Sequence, residues 1–116
     1  MLQWIDHQGK KILRMDVNGM DIQSYVKEVH AGLDTILASK PTPNSVLLFV
    51  LGEQPKGALD EAKEAWKVFQ EGAKGLMKAQ AVVGLTGFKR VVAQLVLRNL
   101  YFAVSEEDAK DWLVRQ

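Results

Sequence analysis

A chain of 116 residues, 47% of them hydrophobic and 25% charged, suits one domain with an ordinary core. It has no cysteine, which excludes disulfides and thiolate chemistry, and its net charge of +1 gives no ground for a nucleic-acid partner. No run of about eighteen apolar residues occurs, so no transmembrane segment is expected, and "MLQWIDHQGKK" lacks a stretch of signal-peptide type, so a cytoplasmic location is expected.

The elements follow in chain order. "LQWID" and "KKILRMDV" are apolar or alternating and are separated by "HQG", which predicts two strands in a hairpin. Asn18-Gly19 marks a turn and Asp21 a helix N-cap. Ile22, Tyr25, Val26, Val29, Leu33, Ile36 and Leu37 then recur at helical spacing, and the helix should stop near Ser39 because Pro41 and Pro43 forbid its continuation. Ser45 to Leu51, "SVLLFVL", is apolar almost throughout, as a parallel strand buried on both faces is.

"GEQPKG" reads as a loop. Leu59, Ala62, Trp66, Phe69 and Ala73 form one face of a second helix, with Asp60, Glu61, Lys63, Glu64, Lys67 and Glu71 opposite. Lys78 to Leu85 predicts another strand. Thr86 or Gly87 opens a further helix carrying Phe88, Val91, Val92, Leu95 and Val96. "LYFAV" is a last strand and "SEEDAKDWLVRQ" a last helix, with Ser105 as N-cap and Asp108 completing a capping-box pattern. The order β-β-α-β-α-β-α-β-α predicts an α/β domain over residues 1–116, with a mixed, mostly parallel five-stranded sheet, four helices and right-handed crossovers.

Charge is unevenly spread. From Gly72 to Val104 there are five basic residues (Lys74, Lys78, Lys89, Arg90, Arg98) and no acidic one, so the rest of the chain carries −4. The block reads either as the solvated edges of its elements or as a site that attracts anions.

Motifs for catalysis are absent. The histidines, His7 in the hairpin turn and His30 off the apolar stripe of the first helix, show no His-x-x-x-His spacing, and no Asp-x-Asp-x-Asp occurs. No metal or other cofactor is expected. There is no Gly-x-Ser-x-Gly elbow, and Ser24, Ser39, Ser45 and Ser105 fall in helix, helix-end or cap positions. A non-enzymatic chain is expected, with an enzyme of unknown reaction as the alternative.

Gly84-Leu85-Thr86-Gly87 matches neither the Walker A loop nor the dinucleotide fingerprint. It still places backbone N–H groups at the start of a helix, beside Lys89 and Arg90, which suits an anion. The candidate ligand-binding residues are therefore Gly84, Thr86, Gly87, Lys89 and Arg90. The plain alternative is a turn in which one glycine permits positive φ and the other close packing. Leu97 lies opposite the Phe88–Val92–Leu95 stripe. Val92, Val96 and Leu97 are accordingly a candidate partner surface, most simply for a homodimer, or a helix face packed within the domain.

Three segments carry a family resemblance: "WIDHQGKKILRMDVNG", "KAQAVVGLTGFKRVV" and "EEDAKDWLV". In these segments and in the order of elements the chain resembles the small bacterial SpoIIAA-like proteins, which are related to STAS domains (sulfate transporter and anti-sigma-factor antagonist). The resemblance implies a βα superhelical α/β domain and a binding or regulatory module, without a known activity. Antagonists of that kind carry a phosphorylatable serine in Asp-Ser-Ser/Thr-Gly after the central strand. Here the place reads "LGEQPKGALDEA", with no serine or threonine, which argues against a phosphoswitch there. An Asp-x-Thr seen in members of the small family corresponds to Leu51, Gly52 and Glu53. Fold relatives include CRAL-TRIO lipid carriers, so a carrier or sensor of a small anionic or lipid-like ligand is the alternative expectation. Its site would be the Gly84–Gly87 loop with the helix that follows.

Overall fold

The computed structural model describes residues 1–52, 55, 57, 59–84 and 100–116. Strands β1 (Leu2–His7) and β2 (Lys10–Asp16) form the expected hairpin. Its turn residues Gln8 and Gly9 both have positive φ, 50° and 80°, as a two-residue turn matched to strand twist requires. His7 pairs with Lys10 beside the turn, and Leu2 pairs with Met15 at the far end.

Helix α1 (Ile22–Ala38) starts where Asp21 accepts the Ser24 backbone N–H at 2.8 Å. That bond holds the Asp21 carboxyl below its usual pKa. The helix ends at Ser39, and Lys40 turns the chain away with φ of 50° before Pro41. Its buried stripe is Tyr25, Val29, Gly32 and Ile36. Leu37, assigned to the stripe from spacing, is 46% exposed because it falls one position beyond the stripe.

Strand β3 (Val46–Leu51) is buried at every position, as its apolar run predicts. Helix α2 (Leu59–Gly72) buries Ala62, Ala65, Trp66 and Phe69. Strand β4 (Met77–Val83) ends at Gly84, and strand β5 (Leu100–Ala103) stops one residue short of Val104, which is exposed. Helix α3 (Glu106–Val114) is capped by Ser105, whose hydroxyl accepts the Asp108 N–H at 3.1 Å. The reciprocal bond differs from a capping box. Asp108 accepts the N–H of Val104, not of Ser105, and also the Tyr101 hydroxyl. The helix expected from Thr86 or Gly87 onward lies outside the described residues. The described chain thus has five strands and three helices.

The sheet order is β1-β2-β3-β4-β5, antiparallel in the first pair and parallel in the other three. Crossovers of one hand that advance in one direction leave their helices on one face. Accordingly α1 and α2 pack together over Leu13, Met15, Leu48 and Val50. The other face, with Ile12, Leu47, Phe49, Ala79, Ala81 and Ala103, is covered by α3 through Ala109 and Leu113.

Gln80 is the one buried polar side chain among the described residues, in a strand that otherwise reads as apolar. It exchanges amide hydrogen bonds with Gln70 of α2 at 3.2 and 3.4 Å. Among the described residues no helix is long and apolar enough to cross a membrane.

Candidate functional site

Three strands run side by side to the same edge of the domain, and the chain leaves each through a polar or glycine-containing turn. After β2, Asp16 accepts both the backbone N–H and the side-chain N–H of Asn18, each at 3.0 Å. This Asx-type turn fixes the Asn18-Gly19 loop. The parallel ladder continues past the strands, because Val17 donates to the Leu51 carbonyl at 2.9 Å and Gly52 to the Val83 carbonyl at 3.1 Å. The three exits are therefore stapled to one another.

The result is an open depression of about 450 Å³ lined by Asn18, Gly19, Leu51, Gly52, Val83 and Gly84. That volume lies within the range of about 300–1,000 Å³ that small-molecule sites occupy. Its place, at the carboxyl ends of parallel strands, is where open α/β sheets bind ligands.

Two glycines make the depression possible. Gly52 has φ of +104°, and a Cβ there would lie 2.7 Å from Asn18 Oδ1 and 3.2 Å from the Asn18 backbone N. A side chain at this position would be strained and would press on the Asn18 turn. Gly84 has φ of +96°, and a Cβ there would meet nothing within 4 Å, so conformation alone requires the glycine.

The sequence-expected residues divide as follows. Gly84 lies in the depression. Thr86, Gly87, Lys89 and Arg90 lie outside the described residues, as do Val92, Val96 and Leu97 of the partner surface. Of the acid-free block, Lys89, Arg90 and Arg98 lie outside the described residues. Lys78 is exposed at the amino end of β4, about 20 Å along the strand from Gly84 at about 3.3 Å per residue, and Lys74 is exposed in the turn before β4. At that distance Lys78 is largely screened from Gly84. His30 is exposed on α1, whereas His7 faces α3 and contacts Asp111.

Asn18 and Gly52 were visible in sequence only as a turn signal and a loop boundary. The clue to their common site is that an apolar strand meets glycine twice, at Leu51-Gly52 and Val83-Gly84. The register sets Leu51 directly beside Val83.

No protein-family model, curated protein or solved structure matches the chain.

Proposed function

We propose that the chain is a non-catalytic binding module of the STAS-like kind that holds a small anion in the depression at the carboxyl ends of β2, β3 and β4. The observation that carries this reading is that the loop singled out for anion binding begins at Gly84, inside that depression. The antiparallel first pair followed by three parallel pairs supports the STAS-like part. The Asn18 and Gly52 backbone N–H groups are already donated, to Asp16 and Val83, so the described lining offers chiefly the Asn18 side-chain amide and apolar side chains, groups that hold and orient a ligand. Lys89 and Arg90, close behind Gly84 in sequence, supply the positive charge in this reading. An open depression suits a compact polar ligand better than the enclosed apolar cavity a lipid tail requires.

Calorimetric titration with inorganic phosphate tests the proposal. Saturable binding is expected, weakened by Lys89→Ala and Arg90→Ala with nearly unchanged melting temperature. Equal affinity in all three proteins, or no saturable binding in the parent, contradicts it. A homodimer through Val92, Val96 and Leu97 is the partner reading that goes with the module. Light scattering at twice the monomer mass supports it, and the monomer mass removes it.

A further inference from the structure

The hairpin and the last helix bring His7 against Glu107 and Asp111, which lie 100 and 104 residues further along the chain. His7 Nε2 lies 2.9 Å from Asp111 Oδ1, and a carboxylate oxygen of Glu107 completes a group in which all three donor atoms lie within 4.8 Å of one another. We propose that His7, Glu107 and Asp111 bind one divalent transition-metal ion of the zinc, cobalt or nickel class.

The donors need only a small adjustment to take such an ion. Two ligands on a tetrahedral ion with bonds of about 2.1 Å lie about 3.4 Å apart, so the 2.9 Å hydrogen-bonded pair opens slightly and Glu107 draws in. Glu107 and Asp111 are one turn apart on α3 and so share a face of the helix. An imidazole with two carboxylates favours a borderline metal over magnesium or calcium, which take oxygen ligands.

The frame around the donors is already fixed. The His7 side chain is only 18% exposed, and its strand position is set by the pair with Lys10. Lys10 Nζ donates to the Val114 carbonyl at 2.9 Å, at one end of α3. At the other end Arg14 grips Glu106 with Nε at 3.1 Å and Nη2 at 3.4 Å. The hairpin and helix are thus tied on both sides of the cluster, so an ion would meet two donors already in place. The third donor is the exposed one. Glu107 is 71% exposed and pairs with Lys110 at 2.6 Å, one turn along. The pair opens to solvent on its Glu107 side, where such pairs are weak, so Glu107 can leave Lys110 for an ion of higher charge.

Calorimetric titration of the full chain with zinc chloride tests the site. One ion per chain is expected, with a melting temperature that rises as zinc is added, because the site exists only in the folded arrangement. His7→Ala should abolish saturable binding and the thermal shift, while His30→Ala leaves both unchanged. Glu107→Gln, a surface change that leaves the core intact, should weaken binding. Lys110→Ala should tighten it by releasing Glu107. Retained one-to-one binding in both His7→Ala and Glu107→Gln, or none in the parent, overturns the proposal.

Discussion

The two faces of the sheet are closed by different means. Under α1 and α2 the core is built from volume. Met15, Tyr25, Ile36, Trp66 and Phe69 are all buried there, and the Trp66 and Phe69 rings meet edge to face at 5.1 Å. Its few polar atoms pair within the layer. Trp66 Nε1 donates to the Tyr25 hydroxyl at 2.9 Å, and burial raises the Tyr25 pKa. The face under α3 is closed by proximity. Ala79, Ala81, Ala103 and Ala109 let a nine-residue helix lie close to the strands, beside the larger Ile12, Leu47, Phe49, Leu51 and Leu113. That helix is then tied down by polar contacts at its rim: Arg14–Glu106, His7–Asp111 and Tyr101–Asp108, with Trp112 stacked on Tyr101 at 4.8 Å. A nine-residue helix gains from such ties, because its own hydrogen bonds stabilise it little. The ties also bring charged donors from distant segments together, which is how the proposed metal cluster arises.

This contrast predicts opposite sensitivities to volume. The largest effect should come from emptying the first face: Phe69→Ala, at a fully buried site, should cost about 3–5 kcal/mol in denaturant unfolding. Filling the second face should come next. Ala109→Leu, at another fully buried site, should cost about 1–3 kcal/mol by pushing α3 off the sheet. If Ala109→Leu is neutral, α3 is not closely packed and the contrast fails. Loss of the cap that starts α3 is smaller. Ser105→Ala should cost about 1 kcal/mol, and amide exchange should show the loss concentrated in α3.

The smallest effect concerns α1. The Asp21 carboxyl has a lowered folded pKa, so its contribution is complete above the unfolded value of about 3.9 and is lost as pH falls through the folded value. In Asp21→Asn, which keeps an N-capping side chain without a titrating group, stability should fall less steeply with acid over that window. An unchanged slope would show that Asp21 is not a source of the acid sensitivity.

The fold was legible where one local pattern decided it. Six consecutive buried residues marked β3, paired turn residues marked the hairpin, and Asp21 and Ser105 marked their caps. What was hidden depends on register and approach. Gly32 sits on the buried stripe of α1 because a Cβ there would lie 2.5 Å from Met15 Cε, a closeness no periodicity encodes. Gln80 stands inside the predicted strand from Lys78 to Leu85, and its pairing with Gln70 of α2 depends on how the helix lies on the sheet. The acid-free block reads as one feature along the chain, yet β4 sets Lys78 at the opposite end of the strand from Gly84. Of the candidate site, the sequence showed Gly84. Asn18 and Gly52 joined it only through the parallel register of three strands.

The central claim is that the carboxyl-end depression is where this domain takes its ligand. Backbone amide chemical shifts followed by NMR during a titration with inorganic phosphate test it most directly. The account predicts that the amides of Gly19, Gly52 and Gly84 move together and saturate along one binding curve. Saturable shifts confined to α3 or the hairpin, with those three glycines unmoved, would contradict it.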